Sequence, residues 1–339
     1  MRYRRELYLA GTGRCIPAAR PLDAAVGAGL VGESHRDLGY ESIAIDTDGA
    51  APVDLAVHAA RQAVGRSGVD PAAIGLHLHA CVWFQGLDCW APASYVSQQS
   101  IGPQAVALTL DQRSAGGLAA LHLAAAYLDC GTVDHALLTT GDRFAAPAID
   151  RWNSYTQSIW GDGGTALVLS ADGGFARLLA SVENADNGLE TWDRGTVPFA
   201  DAPLAEQPVP IERRFDTHAS TPEAAGEFER WIALVLRTRD QVLAEAGLEL
   251  GQITRAVLPF VHRGGGQAEL HDLLGLTEEQ TLWTDLGRYT GHLGAGDQFA
   301  GLDHLREKGE LQPGDHVLLF AVGVGFTVAG AVVRITDRV

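Results

Sequence analysis

Basic residues are scarce in this chain. Its 339 residues include 25 Lys and Arg, of which only Lys308 is a lysine, against 42 Asp and Glu, for a formal net charge of −17. The isoelectric point is near 5.0. So acidic a surface excludes nucleic acid and anionic membrane as main partners, because both are bound through basic patches. Cysteine is also sparse, at positions 15, 81, 89 and 130. None forms a Cys-x-x-Cys pair or a zinc spacing, so the four read as reduced thiols of a cytoplasmic protein, and no metal is expected. Long apolar runs are missing: no stretch reaches the ~20 residues of a membrane span, and the basic Met1-Arg-Tyr-Arg-Arg-Glu-Leu7 lacks the apolar core of a signal peptide. Gly11-Thr-Gly-Arg-Cys15 lacks the third glycine of a dinucleotide fingerprint and reads as a turn after an opening strand, so no cofactor is expected.

What is present is a chain 46% hydrophobic, long enough for a large core or two fused units. Leu108 to Leu128 organises it: a short apolar strand, a sharp turn at Gln112 and Arg113, then a helix so rich in Ala and Leu that most of its faces must be buried. Ser114 opens that helix, beside N–H groups without intrahelical partners and at the positive end of the macrodipole. The position suits a nucleophile and equally suits a simple N-cap. Around this stretch, residues 20–52 read as polar loops that form part of a substrate entrance. Asp54 to Val64 reads as a helix closed by Gly65 to Gly68, and Ile74 to Val82 as a strand whose His77 and His79 share a face as ordinary strand histidines. Residues 184–222 read as a long surface excursion, followed by an amphipathic helix from Glu227 to Gly247 and a strand ending in His262. Asp134-His-Ala-Leu-Leu138 recurs about 180 residues later as Asp315-His-Val-Leu-Leu319, which implies two halves of one architecture. The same offset carries the Ser114 turn onto Gly291-His-Leu-Gly-Ala-Gly296, so that two equivalent turns converge.

The nucleophile turn before an Ala-rich helix, the strand ending in His262, the His292 turn and the terminal Gly323-Val-Gly-Phe-Thr327 together resemble the ketoacyl synthase III family of the thiolase superfamily. The resemblance implies an α/β chain with the thiolase-like five-layered αβαβα fold. It implies two duplicated halves, 1–172 carrying the nucleophile and 173–339 carrying the catalytic histidines, and a homodimer. It further implies acyl transfer through a covalent acyl-enzyme, with the backbone N–H groups of Ser114 and Val324 as the oxyanion hole. Two departures stand out: the family's nucleophilic cysteine is Ser114, and its usual asparagine is His292, followed by Asp297. This combination resembles the acyltransferase branch found in antibiotic and polyketide biosynthesis. A serine hydroxyl needs a general base at the moment of attack, and His262 and His292 are the candidates, with Asp297 fixing the tautomer of His292. The expected donor is an acyl carrier protein or acyl-CoA thioester, the carrier being favoured because residues 28–50 lack the family's coenzyme A determinants. The expected acceptor is a small-molecule hydroxyl or amine, or a second carrier. Trp83, Phe84 and Trp90 are candidates to line an acyl pocket suited to an aromatic or polyketide-derived group. The alternatives are a starter-unit condensing enzyme and a non-catalytic partner subunit. An α/β-hydrolase fits less well, since Gln112 replaces the first glycine of its Gly-x-Ser-x-Gly elbow.

Overall fold

The structure is a computed structural model and describes residues 1–155, 158–261 and 269–336. Its strands, in chain order, are β1 (Leu7–Cys15), the short β2 (Ala19–Pro21) and β3 (Ser42–Ala44), β4 (Leu76–Ala80), β5 (Val106–Leu110), β6 (His135–Asp142), β7 (Gly163–Ser170), β8 (Ala176–Ala185), β9 (Arg255–Val257), β10 (His316–Gly323) and β11 (Thr327–Ile335). Nine of them form one sheet in the order β5-β4-β6-β7-β1-β8-β11-β10-β9. The order is nearly a mirror about the β1–β8 junction, a short antiparallel pairing of Leu7 to Leu9 with Leu178 to Ala176. β4 runs parallel to β5 and β6 on one side, and β9 parallel to β10 on the other. The Asp134 and Asp315 repeats open β6 and β10, which hold equivalent places in the two sides.

Alternation along the strands builds the layers. On one face, Leu76, Leu138, Leu167, Leu319 and Ala331 join the helices Gly116–Asp129 and Asp297–Glu307 in one buried cluster. Their strand neighbours turn the other way: Leu137, Ala166 and Val168 pack on helix Pro52–Ser67, while Leu318, Phe320 and Val332 pack on helix Glu227–Ala246. Period-two strands with apolar residues on both faces therefore give helix, sheet, helix, sheet, helix, the two sheet layers being the β5-to-β1 and β8-to-β9 portions of the one nine-stranded sheet, with the Ser114 helix in the middle. That central place explains its composition, since small side chains let it contact strands from both sides.

Two expectations change. Gly11 and Gly13 lie within β1 rather than in a turn, because helix Pro52–Ser67 crosses them so closely that a Cβ on either would come within 2.2 Å of the Ala63 or Ala59 carbonyl oxygen. Residues 20–52 contain a short helix, Leu22–Gly27, and the paired β2 and β3. They bury Tyr40 and Ile43 against Trp283 and form no part of the cavity described below. Helix Pro52–Ser67 does end as expected, at Gly68 with φ +70°. Among the described residues no helix is long and apolar enough to cross a membrane.

Candidate active site

Ser114 stands where β5 turns into the central helix. Arg113, immediately before it, has φ +48°, a left-handed conformation that non-glycine residues seldom adopt. Its guanidinium holds the turn by donating to the Val82 carbonyl at 2.8 Å. A 3-10 turn, Arg113–Ala115, runs straight into the helix, which leaves Ser114 at the positive end of the dipole. Gly323, the last residue of β10, fits beneath this turn: a Cβ there would be 2.8 Å from the Gln112 carbonyl oxygen.

His292 comes from the equivalent turn in the second half. Its N–H donates to the Ile159 carbonyl and its carbonyl accepts from Gly161 N–H, both at 2.9 Å. Gly117 lets the two turns meet, since a Cβ on it would lie 2.5 Å from the Ala295 carbonyl oxygen. Ser114 Oγ is consequently 2.7 Å from His292 Nε2. On the far side of the ring, Nδ1–H donates to Asp297 Oδ2 at 2.6 Å. Asp297 is fully buried. Its Oδ2 also accepts from Phe260 N–H at 2.7 Å, and its Oδ1 from Leu293 N–H at 2.8 Å. A carboxylate held on three sides fixes the imidazole tautomer and leaves the Nε2 lone pair facing the serine hydroxyl.

A second carboxylate lies behind the histidine. Asp142, at the end of β6, accepts from Val82 and Trp83 N–H groups at 2.8 Å through Oδ1 and from Ala295 N–H at 3.3 Å through Oδ2. Complete burial nevertheless pushes its pKa up to about 7. For His292, burial acts downward, but the charge and hydrogen bond of Asp297 and the charge of Asp142 outweigh it, and the net shift is upward. The sign sets a pH profile. A base must be neutral, and a raised pKa delays the neutral form until the pH passes the ordinary histidine value of ~6.5. Any reaction in which His292 takes the Ser114 proton should therefore speed up with pH along a limb whose midpoint lies above that value. Time courses of adduct formation from pH 5.5 to 9 measure it, and a midpoint below the ordinary value would contradict the arrangement.

Ser114 and His292 open onto a cavity of about 370 Å³, within the range of small-molecule sites. Val324, from the turn between β10 and β11, lines it beside Ser114. Of the aromatic candidates, Trp83 lines it. Phe84 and Trp90 do not: Phe84 is half exposed, and Trp90 packs edge-on against Tyr95, with ring centroids 5.6 Å apart, beside helix Pro52–Ser67. His262 lies outside the described residues. Residues 184–222 are more than a surface excursion, since they deliver Trp192, Asp193, Val209, Ile211, Arg214 and Phe215 to the cavity wall. The segment has few periodic apolar runs, so its role was invisible as pattern. Asp142 was also missed, although an acidic residue ending a wholly buried strand is a signal that sequence carries. His77 and His79 are committed elsewhere, to the Ala93 carbonyl, Thr139 and Gln85. Among the described residues, Glu269, His271 and Asp272 bring ligand atoms within 4.8 Å of one another; none belongs to the Ser114 relay.

Two family models match the chain: 3-oxoacyl-[acyl-carrier-protein] synthase III over residues 109–187 and its C-terminal counterpart over 243–335. The chain is 29% identical to the beta-ketoacyl-[acyl-carrier-protein] synthase III of Rhizorhabdus wittichii, over 97% of this chain and 99% of the relative. The solved structure of "ChlB3 [Aceyltransferase]" superposes with a TM-score of 0.92 at 34% identity, covering 98% of each chain. The priming beta-ketosynthase of the R1128 polyketide biosynthetic pathway shares the fold, with a TM-score of 0.76 at 20% identity over 100% of this chain and 99% of that one.

Proposed function

This chain is an enzyme of the 3-oxoacyl-[acyl-carrier-protein] synthase III family, and within it we propose an acyltransferase that works through an acyl-Ser114 intermediate. One observation carries the reading: Ser114 Oγ, His292 and Asp297 form a continuous relay of 2.7 and 2.6 Å contacts at a helix N-terminus. Such a relay is what an oxygen nucleophile requires, since a serine hydroxyl stays protonated until a base takes its proton during attack. Similarity to a structure described as an acyltransferase supports it.

In the proposed first half-reaction, Oγ attacks the thioester carbonyl while Nε2 takes its proton. The N–H groups of Ser114 and Val324 receive the developing oxyanion, and the thiol leaves with the proton from the imidazolium. The donor is an acyl carrier protein or acyl-CoA thioester. In the second half-reaction the same imidazole deprotonates a hydroxyl or amine of a small acceptor, or the thiol of a second carrier, as it attacks the acyl carbonyl, and returns that proton to the departing Ser114 Oγ. The proposal includes a homodimer, a division into duplicated halves at 172 and 173, and a place in secondary metabolism of the polyketide or antibiotic kind. It leaves His262 as a further base whose contribution is read by mutation.

The competing reading is decarboxylative condensation by a starter-unit condensing enzyme, favoured by similarity to proteins named beta-ketoacyl-[acyl-carrier-protein] synthase III. An acyl-serine is an oxygen ester, less electrophilic than a thioester, so it disfavours a weak carbon nucleophile. Offering the acyl-enzyme malonyl carrier protein alongside a panel of amines and alcohols separates the two. Ester or amide formation without carbon dioxide is expected; a decarboxylated, carbon-extended product would overturn acyl transfer to oxygen or nitrogen.

A further inference from the structure

We infer that Asp142 is a positioning residue for His292, one that locks the turn carrying the base onto the loop that walls the cavity and sets a second negative charge behind the imidazole; the inference rests on the acyl-transfer reading above. Asp142 ends β6 and is fully buried. One of its oxygens serves the wall, since Oδ1 accepts from both Val82 and Trp83 N–H at 2.8 Å. The other serves the base turn, where Oδ2 accepts from Ala295 N–H at 3.3 Å. Gly294 makes that approach possible: a Cβ on it would lie 2.3 Å from Asp142 Oδ2.

These contacts close a ring around the reaction centre. Arg113, next to Ser114, donates to the Val82 carbonyl, and Val82 N–H donates to Asp142. Asp142 accepts in turn from Ala295, and His292, three residues before Ala295, meets Ser114 Oγ at 2.7 Å. A displaced Asp142 therefore disturbs both ends of the serine–histidine contact. An asparagine could accept from Val82 and Trp83, but it would turn its NH2 group toward the Ala295 N–H. Burying a carboxylate is costly, yet here the charge has a use beside it. Taking the Ser114 proton makes His292 an imidazolium, which an ionised neighbour stabilises. The two groups act on one another in that sense, each favouring the charged form of the other. Asp297 and Ser114 hold the two nitrogens of the imidazole. On the side of Asp142 lies the Cys81 thiol, which burial pushes up and keeps neutral, with Asp111 and Arg113 acting on it in opposite directions. Arg143, next in sequence, pairs with Asp46 at 3.5 Å.

The test reads the imidazole directly, in the full chain, and does not depend on turnover. Carbon-13 in the histidine rings is followed by NMR across pH, the His292 signal being the one missing from His292→Ala. Burial brings the Asp142 carboxyl to about 7, close to a histidine, so the two groups should titrate as a coupled pair. The His292 signal is expected to move in two steps in the unaltered protein and in one step in Asp142→Asn, with proton binding weakened about tenfold by loss of the neighbouring charge. Acylation by S-acetyl- and S-benzoylpantetheine, followed by intact mass on the alkaline plateau, should be about 100-fold slower in Asp142→Asn, the scale on which a small misplacement of a base acts. Should that variant fail to fold, as circular dichroism would show, the two-step titration of the unaltered protein decides. A single-step titration there, or an Asp142→Asn protein that titrates as the unaltered one or keeps its plateau rate, would overturn the inference and leave the acyl-serine reading standing. A slower variant with an unchanged His292 titration would reduce Asp142 to a structural anchor and overturn it as well. The expected titrations with no adduct on the unaltered protein would uphold the place of Asp142 beside His292 and sink the acyl-serine reading.

Discussion

Ser114→Ala is expected to abolish the acyl adduct completely and to lower transfer roughly 10⁴-fold or more, the scale on which serine enzymes lose activity with their nucleophile. The fold should survive, because Ser114 is only half-buried and its side chain hydrogen-bonds to His292. Incubation with an acyl thioester followed by intact-mass and peptide mapping measures the result. An adduct that persists at another residue, with Cys89 and Cys130 as the exposed thiols to watch, would remove Ser114 from the mechanism. A circular dichroism spectrum matching that of the unaltered protein guards against loss of fold as the explanation.

Asp297→Asn should be nearly as damaging despite its small steric change. The carboxylate receives three donors, from His292 Nδ1–H and the N–H groups of Phe260 and Leu293. An amide offers one oxygen and one NH2 group to the same three, so a donor must face a donor or the imidazole must take the other tautomer. With the proton on Nε2 the ring no longer accepts from Ser114. A fall of about 10⁴ in the acylation rate is expected. The variant should also lose about 1–3 kcal/mol of stability, the cost of one buried donor left unpaired. Because the negative charge of Asp297 helps raise the His292 pKa, whatever activity remains should show its pH limb shifted toward acid. Single-turnover acylation across pH and a denaturation curve measure both effects. Full activity in this variant would mean that Asp297 serves only to hold the backbone.

How much of this was legible in sequence follows from what each feature depends on. Ser114, His292 and Asp297 sit in turns whose glycines and flanking helix are local signals, and the repeat alone implies that the two turns meet. The layered sheet was legible for a similar reason: apolar residues on both faces of β6, β10 and β11 demand cover on both sides. The cavity was not. Trp192, Arg214 and Phe215 lie on short helices between glycines and prolines, Thr191–Arg194 and Ile211–Ala219, where no periodicity marks an inward face. Trp83 and Phe84 are adjacent, and only the three-dimensional course of the chain decides that one enters the cavity while the other meets solvent. Gly11 and Gly13 misled in the opposite direction. Glycine in a strand reports the near approach of another backbone, and sequence alone does not distinguish that from a turn.

The seam between the two halves gives the site a logical character. Ser114 belongs to one side of the mirror-ordered sheet and His292 to the other, and a 2.7 Å contact joins them. Neither side holds both Ser114 and the histidine proposed to activate it. The reactivity proposed for Ser114 is therefore a conjunction: it requires both turns formed and docked through Gly117, and should vanish when either is displaced by even an ångström or two. Helix content would register such a displacement hardly at all. On the proposed acyl-serine mechanism, acylation is a stricter gauge of correct assembly than any measure of secondary structure.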